Sequence, residues 1–168
     1  MTTTWLPEDE WLSGLVRAYA GASVLLTDPA GRVLLLRPSY RDQWQYPGGV
    51  IDPGEGPAEC AVREVAEETG LLLGAELRLL VVEWRDPLPD QEPHAHPAVH
   101  FMFDGGTVPA TTPLRLQPEE IAEARFFPPA EAAVLLHEHA ADRLQHGLRS
   151  RRAGGAGTAL LRTPGYLG

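Results

Sequence analysis

Apolar and polar residues alternate in short blocks along this chain, and the blocks predict strands separated by helices. Residues 22–38 hold two apolar runs joined by Asp-Pro-Ala-Gly, a sequence typical of a tight turn, and therefore predict a β-hairpin. Apolar runs at 76–84, 98–106 and 123–128 predict three further strands. Together with the helical segments that follow, this pattern indicates a mixed α/β (α+β) architecture.

Three segments have the spacing of a helix. Residues 56–70 begin with Gly-Pro and end with Gly70, which suit the first turn and the end of a helix. Residues 129–152 predict one long helix with basic residues at its end, where they suit the helix dipole. Residues 7–21 predict a short amphipathic helix, whose apolar face consists of Trp11, Leu12, Leu15 and Val16.

The length and the loops indicate how the chain is organised. A chain of 168 residues can bury the core of one domain. We expect that domain, with its N-terminal helix, to span residues 1–150, and the Gly-rich residues 151–168 to form a loosely ordered tail. The connection at 85–97 is rich in Pro, acidic residues and His, and its length is typical of a functional or mobile loop.

Charge and cysteine content exclude several classes of protein. The chain has 23 acidic and 14 basic residues and a formal net charge of −9. This balance argues against general affinity for nucleic acid, but it allows a small anionic ligand that arrives with a metal ion. The single cysteine, Cys60, excludes an intramolecular disulfide and suits a reducing compartment. Neither a signal peptide nor a membrane span is apparent, so we expect a cytoplasmic protein with no nucleic-acid or membrane partner.

The helix predicted at 56–70 has an acidic cluster near its C-terminal end. At 100° per residue, Glu64, Glu67 and Glu68 share one side, with Cys60 one turn below them. The opposite side is expected to pack on the sheet, and it consists of Ala58, Val62, Val65, Ala66 and Thr69. The helix therefore presents three carboxylates close together.

This acidic cluster is unfavourable without a ligand. The helix dipole and the like-charged pair Glu64 and Glu68 each cost roughly 0.3 kcal/mol or more. Arg63 lies four residues from both Glu59 and Glu67 and can pair with either. A solvated acidic face explains the side on which the acids lie, but not their spacing. A divalent cation explains both, because Mg²⁺ and Mn²⁺ prefer carboxylate oxygens and share their coordination shell with substrate phosphates.

Residues 49–71, GVIDPGEGPAECAVREVAEETGL, resemble the Nudix box, whose pattern is G-x5-E-x7-R-E-U-x-E-E-x-G-U with U a bulky aliphatic residue. The fixed positions are filled by Gly49, Glu55, Arg63, Glu64, Glu67, Glu68 and Gly70, and the aliphatic ones by Val65 and Leu71. A chance match in a chain this long is rarer than about one in a million. The resemblance implies the Nudix fold, a mixed β-sheet sandwiched between α-helices.

The resemblance also implies an activity, which is hydrolysis of a nucleoside diphosphate linked to another group. Mg²⁺ is the implied cofactor, with Mn²⁺ as a substitute. In this family the glutamates that match Glu64, Glu67 and Glu68 bind the metal, and a backbone carbonyl at the position of Gly48 often joins them. The residues that orient the loop and the helix match Glu55 and Arg63.

The general base is left open by the resemblance. Some relatives use a glutamate of the box, which here is Glu67 or Glu68. Others use an acid on a later loop, and Glu119 and Glu120 are the candidates because they precede a strand expected to return toward the box. The alternative for this later pair is an acidic helix N-terminus after Pro118.

Several residues are candidates for substrate binding. Arg37 matches a position where related enzymes often have a basic residue near the phosphates; the alternative is a surface charge at a strand end. Gly48 and Gly49 are expected beside the substrate. Trp44 and Tyr46 flank the same loop and are expected either to stack on a base or to pack under the loop.

Two weaker signals concern the long loop at 85–97. His94, His96 and His100 form H-x-H-x3-H, which does not match the usual spacing of a structural zinc site, and unrelated histidines are the preferred interpretation. His94 and His96 are candidates for substrate contact if the loop borders the pocket. Pro87 lies sixteen residues after Leu71, a spacing that tends to occur in relatives acting on ADP-ribose, and it favours an ADP-sugar.

The substrate and the partner remain alternatives at this level. A nucleoside triphosphate and an ADP-sugar such as ADP-ribose are both open, and so is an identical subunit as partner. A non-catalytic module that senses a nucleotide is the rival function, but such modules usually have an eroded box. Prenyl diphosphate isomerisation on the same fold requires a catalytic cysteine outside the box, whereas Cys60 lies inside it.

Overall fold

The computed structural model describes residues 7–87, 96–154 and 157–163. The elements in chain order are α1 (Glu8–Ser13), β1 (Tyr19–Thr27), β2 (Val33–Pro38), β3 (Gly48–Val50), α2 (Pro57–Thr69), β4 (Arg78–Arg85), β5 (Ala98–Thr107), β6 (Ile121–Phe127), α3 (Pro129–Leu135), α4 (Glu138–Arg152) and β7 (Ala159–Thr163). The predicted hairpin is confirmed as β1 and β2, and the three further predicted strands as β4, β5 and β6. No helix in the described part of the chain is both long and apolar enough to cross a membrane.

The strands form one mixed sheet in the order β6-β2-β1-β5-β4-β7. Strand β3 pairs with the N-terminal half of β1, on the edge that β2 occupies farther along. The β1–β5 and β4–β7 pairs are parallel, and the remaining pairs are antiparallel. This arrangement places β3 and β4 on either side of the pair β1 and β5. Strands β3 and β4 line opposite sides of the cleft described below.

Helices cover both faces of the sheet. On one face, Val24, Leu34 and Leu36 pack against Cys60, Ala61 and Val65 of α2. On the other face, Leu25, Leu35 and Met102 pack with Ala132 of α3 and with Ala140 and Leu144 of α4. Because both faces are covered, β1 and β2 are apolar at successive positions. The predicted sheet between helices is therefore confirmed.

The N-terminal helix is shorter than predicted. Helix α1 ends at Ser13 and is followed by Gly14, and none of its residues is buried. Leu15 and Val16 lie outside the helix and are exposed. The prediction of a helix to residue 21 is wrong because residues from Tyr19 onward pair with β5, where ladder hydrogen bonds and burial outweigh helical spacing.

The long C-terminal helix is divided in two. Leu136 is extended, with ψ 156°, and separates α3 from α4. Helix α3 lies over β2 and β6, whereas α4 lies over β4, β5 and β7. One straight helix cannot cover both groups of strands, and the break at Leu136 lets that side chain enter the core. The prediction of one continuous helix over 129–152 is therefore wrong.

Part of the predicted tail belongs to the sheet. Residues Ala159–Thr163 form β7, which pairs in parallel with β4. Leu161 packs against the core, whereas Leu160 faces outward. The expectation of loose order is wrong for this strand, because alternating burial and ladder hydrogen bonds fix it. The domain boundary at residue 150 stays a prediction.

Candidate active site

Helix α2 positions the acidic cluster as the sequence predicts. The helix begins at Pro57 and ends at Gly70, whose φ of 73° is the left-handed conformation that glycine adopts readily. Its buried face is turned relative to the prediction: Val65 and Thr69 are buried as expected, but Cys60 and Glu68 are buried as well. The acidic cluster therefore spans a gradient, from Glu68 at 3% exposed to Glu67 at the surface.

Glu68 is held by the loop that precedes the Nudix-like segment. The backbone N–H of Gly48 donates to Glu68 Oε2 at 2.8 Å, and the side-chain amide of Gln45 donates to Oε1 at 3.4 Å. Burial raises the pKa of the Glu68 carboxyl to about 8, against the effect of the Gly48 hydrogen bond. The charges of Glu64 and Glu120 raise it further. Glu68 is thus a fixed carboxylate in an environment that disfavours its charge.

The close approach between the loop and α2 requires glycine at two positions. Gly48 has a φ of 146°, and a Cβ there would overlap the Ala22 carbonyl oxygen and lie 2.6 Å from Ser23 Cα. A Cβ on Gly49 would lie 2.6 Å from the carboxyl carbon of Glu64. The backbone of the loop therefore reaches the carboxylates directly, as a metal or phosphate site requires.

Arg63 ties the acidic cluster to the loop below it. Its guanidinium binds Glu55 in a bidentate manner, at 2.6 and 3.0 Å, and also contacts Glu64 at 2.8 Å and Glu67 at 3.1 Å. These hydrogen bonds lower the pKa of Glu55 to about 2. Glu59 does not compete for Arg63, because its carboxylate accepts the N–H of Gly56 at 2.6 Å.

The donor chemistry of the acidic cluster fits a hard divalent cation. As the described side chains stand, no three His, Cys, Asp or Glu groups converge closely enough to hold a metal, and Arg63 engages both Glu64 and Glu67. Burial raises the pKa of both Glu64 and Glu68, and a bound cation would offset this cost. Metal binding at Glu64, Glu67, Glu68 and the Gly48 carbonyl stays a prediction.

The later acids lie in a turn that docks beside β2. The Ser39 backbone N–H donates to the Glu120 carbonyl at 2.8 Å, and the Ser39 hydroxyl donates to the Glu119 carbonyl at 2.8 Å. The chain then enters β6 directly, so the alternative of a helix N-terminus after Pro118 is wrong. The charge of Glu120 contributes to the raised pKa of both Glu64 and Glu68. Glu120 is therefore the better placed of the two acids to act at the cluster.

A cleft of about 420 Å³ lies on the α4 face of the sheet, and Glu64, Glu67 and Glu68 are not among its lining residues. Its walls are residues 41–46, β3, the starts of β1 and β5, the end of β4 and the first half of α4. Three predicted substrate-binding residues, Trp44, Gly48 and Gly49, line it. Since Gly48 also anchors Glu68, the cleft and the cluster share one wall.

The contacts of Arg37, Tyr46 and Trp44 favour roles other than substrate binding. Arg37 is not among its lining residues and instead contacts Glu123 of β6 at 3.4 Å, as the alternative of a strand-end charge expects. The hydroxyl of the buried Tyr46 donates to the Ala140 carbonyl at 2.9 Å, which favours packing over base stacking. Trp44 lines the cleft and also packs edge-on against Phe127, with ring centroids 4.8 Å apart.

The histidines of the long loop separate. His100 lies in the cleft, where its Nε2 is 2.9 Å from the Ser23 hydroxyl. His96 makes an edge contact with the Tyr19 ring, at a centroid distance of 5.8 Å. His94 lies outside the described residues, as does most of the loop at 85–97. Within the described ranges no histidine-containing metal cluster occurs, so the zinc interpretation gains no support.

The basic end of the cleft was not predicted from the sequence. It is formed by Glu83, Arg85, His139 and Arg143. Arg143 forms a buried ion pair with Glu83, and the Arg85 guanidinium donates to His139 Nε2 at 2.9 Å. The one usable signal was Glu83, a charged residue within the otherwise apolar run LLVVEW. The two α4 residues resemble an ordinary solvated helix face in the sequence.

Comparisons with known proteins agree with this geometry. A family model described as the NUDIX domain matches residues 18–146. The chain is 32% identical over 128 residues to a CMP-5'-(N-acetyl-N-hydroxy-3-aminopropyl)phosphonate hydrolase of Streptomyces rubellomurinus, a match that covers 72% of this chain and 57% of that protein. It is 33% identical over 106 residues to the nucleoside diphosphate-linked moiety X motif 6 protein of Mus musculus, covering 61% of this chain and 31% of the relative.

The solved structure of a NUDIX hydrolase from Nitrosomonas europaea has the same fold, with a TM-score of 0.67 and 20% identity over 89% of this chain and 81% of that chain. The present chain spans little more than half the length of the first curated relative and about a third of the second. The family match nevertheless includes the whole acidic helix and nearly all of the sheet. The chain therefore belongs to the Nudix family.

Proposed function

We propose that this chain hydrolyses the pyrophosphate bond of a nucleoside diphosphate linked to another group, with Mg²⁺ as the cofactor and Mn²⁺ as a substitute. The observation that carries the proposal is the acidic cluster on α2, anchored through Glu68 to Gly48 in the wall of a cleft large enough for a small nucleotide. Both curated relatives described above are named for nucleotide-linked compounds, which agrees with this reaction class.

The residues of the acidic cluster have distinct tasks in this proposal. Glu64, Glu67 and Glu68, with the Gly48 carbonyl, would hold the metal, which when bound would supply positive charge for the leaving oxygen and lower the pKa of a water. Arg63 and Glu55 keep the loop and α2 in register through their bidentate contact. Two acids are candidates for the base that accepts the water proton, namely Glu68 and Glu120, and we favour Glu120 because its exposed carboxylate is not fixed by a backbone donor.

We propose two substrate classes, nucleoside triphosphates and nucleotide sugars such as ADP-ribose. Hydrolysis should be assayed with nucleoside triphosphates, dinucleoside polyphosphates, ADP-ribose and other nucleotide sugars, each with Mg²⁺, with Mn²⁺ and with EDTA. We expect metal-dependent release of a nucleoside monophosphate from at least one of them. Chromatographic identification of the products distinguishes cleavage of the pyrophosphate bond from removal of a terminal phosphate.

The rival function is a module that binds a nucleotide without cleaving it. The complete set of acidic residues disfavours this function, because binding alone does not require them. Titration calorimetry with the same compounds separates the two functions. Binding without turnover, in the presence of either metal, would replace the hydrolase proposal with the sensor.

A further inference from the structure

The basic end of the cleft and strand β3, which carries Gly48, lie at opposite ends of a row of four strands. Val50 of β3, Gly21 of β1, His100 of β5 and Glu83 of β4 are register partners in one row over four adjacent strands. Three interstrand spacings make this row about 14 Å long. A substrate whose phosphates lie at the glycines of β3 therefore extends its other parts toward Glu83 and its neighbours.

Arg143 offers a donor to this end of the cleft. The side chain is 7% exposed, forms its ion pair with Glu83 through Nη1, and lines the cavity. Its Nε–H has no hydrogen-bond acceptor among the described residues. A buried guanidinium N–H without an acceptor is costly, so a ligand that supplies an oxygen there is stabilised.

His139 offers a second donor. Arg85 cannot accept a hydrogen bond, so its contact of 2.9 Å with His139 Nε2 assigns the lone pair to that nitrogen and the proton to Nδ1. The Nδ1 atom is buried and has no acceptor in the described part of the chain. Strand β4 and helix α4 therefore both present hydrogen-bond donors at this end of the cleft.

The charge at the basic end is positive. Arg85 and Arg143 face one carboxylate, that of Glu83, and no carboxylate of the described residues forms a salt bridge with Arg85. Burial, Arg143 and Arg85 together lower the pKa of His100 and that of His139, the latter to about 3, so both rings are neutral. Among the described residues that line this end, the excess of one positive charge matches a carboxylate better than a dianionic phosphate.

The aromatic residues of the cleft do not favour a nucleobase at this end. Tyr46 is buried and bonded to α4, and Trp44 packs on Phe127. Tyr19 lies at the exposed start of β1, beside His96. The basic end itself is lined by charged and imidazole groups, which recognise oxygen atoms rather than offering an open aromatic face.

We propose that the basic end of the cleft binds a carboxylate on the group linked to the nucleotide, so that this chain selects nucleoside diphosphates whose linked moiety is acidic. The inference rests on the proposed function, because it places the diphosphate at the β3 end. Arg85 is the residue that carries most of the selection, and His139 and Arg143 complete the set of donors.

The test uses UDP-glucose and UDP-glucuronic acid, which differ only in a hydroxymethyl group and a carboxylate. Binding is measured by titration calorimetry in EDTA, and hydrolysis is measured with Mg²⁺. We expect UDP-glucuronic acid to be preferred at least tenfold in Kd and in kcat/KM, the size of effect typical of a charge-assisted hydrogen bond. In Arg85→Gln the preference for UDP-glucuronic acid over UDP-glucose should fall to within about threefold.

Arg162→Gln is the matched control, since Arg162 lies on the adjacent strand β7 opposite Trp84 and its side chain is 74% exposed. It should retain the full preference. Thermal unfolding shows whether Arg85→Gln is folded. If it is not, His139→Leu provides the second test, and it should lose part of the preference for UDP-glucuronic acid.

Equal binding of the two sugars by the native chain would overturn the inference, as would a preference that Arg85→Gln leaves intact. A calorimetric preference without hydrolysis of either sugar would support the carboxylate site and count against the hydrolase. Hydrolysis without any preference would do the reverse.

Discussion

The acidic cluster on α2 and the basic end of the cleft both disfavour charge of one sign, but the sign differs between them. At the acidic cluster, burial and mutual repulsion raise the pKa of Glu64 and Glu68, so the fold disfavours negative charge there. At the basic end, burial and two arginines lower the pKa of His100 and His139, so the fold disfavours further positive charge. Each end is therefore complementary to an ion of the opposite sign, a cation at one end and an anion at the other. The acidic cluster lies on one helix, α2, whereas the basic end forms only when β4 and α4 come together in the fold.

The largest effect should come from Glu68→Gln at the acidic cluster. The amide cannot serve as an anionic metal ligand, and we expect turnover to fall by about 10²–10⁴-fold. The fold should persist, because the substitution removes a carboxyl whose charge burial disfavours. Glu59→Gln, on the same helix and outside the cluster, is the control and should keep nearly full turnover. Steady-state rates with Mg²⁺ decide the matter, and an unchanged rate for Glu68→Gln would exclude Glu68 from the machinery.

At the basic end, breaking the buried Glu83–Arg143 pair should destabilise the fold. Arg143→Met removes the guanidinium that pairs with the buried Glu83 carboxylate, and we expect a loss of about 3–5 kcal/mol in the free energy of unfolding. The double variant Glu83→Leu with Arg143→Met should recover much of this loss. Arg162→Met, which removes an exposed partner of Asp86, should cost less than about 1 kcal/mol. Urea unfolding measures all three, and a double variant no more stable than Arg143→Met alone would show that the pair is not coupled.

The contact between loop and helix is tested by Gly48→Ala. The added Cβ overlaps the Ala22 carbonyl oxygen and Ser23, so we expect at least about 2 kcal/mol of destabilisation. Gly31→Ala is matched in having a positive φ, of 78°, but meets no atom within 4 Å. It should cost about 1 kcal/mol, from backbone strain alone. Equal losses for the two variants would remove the argument that close packing, rather than φ, requires glycine at position 48.

In EDTA the two ends should give opposite pH dependence of stability. The pKa of Glu68, about 8, is above its reference value of 4.5, so its contribution is fully present below pH 4.5 and is lost as pH rises through 8. The pKa of His139, about 3, is below its reference value of 6.5, so its contribution is present above pH 6.5 and is lost as pH falls toward 3. The melting temperature plotted against pH should lose its fall on the alkaline side in Glu68→Gln and its fall on the acid side in His139→Gln. A variant that flattens both sides would show that the ends are not independent.

The smallest effect is expected outside the cleft, at Arg37. Its side chain contacts Glu123 across β2 and β6 and does not line the cavity. Arg37→Gln should therefore change kcat/KM by less than about twofold. A tenfold rise in KM would place the substrate phosphates near β2, as the family resemblance suggested.

What the sequence predicts well is local. The acidic helix, its first and last residues and its contact with the preceding glycines all lie within residues 48–70, and helical spacing with two glycines is enough to define them. The hairpin is equally local. The turned face of α2 was less accessible, because burial of Glu68 and Cys60 depends on how the loop with Gly48 docks against the helix.

What the sequence does not predict is assembled from distant segments. The basic end combines β4 with α4, and in isolation Arg143 and His139 have the pattern of a solvated helix face. The apolar spacing of residues 129–152 gives no sign of the break at Leu136. The break arises because α3 and α4 cover two different groups of strands. Strand β7 is hidden by its glycine-rich surroundings, and its partner lies about eighty residues earlier in the chain.

The position of β7 has a practical consequence for handling the protein. By pairing with the outer side of β4, β7 makes the strand that bears Glu83 and Arg85 an interior strand of the sheet. A shortened version that stops after α4 would leave a row of unsatisfied amides and carbonyls beside Leu80 and Val82, a template for self-association. Strand β7 therefore protects β4 from pairing with another molecule, and any shortened form of the protein should retain it.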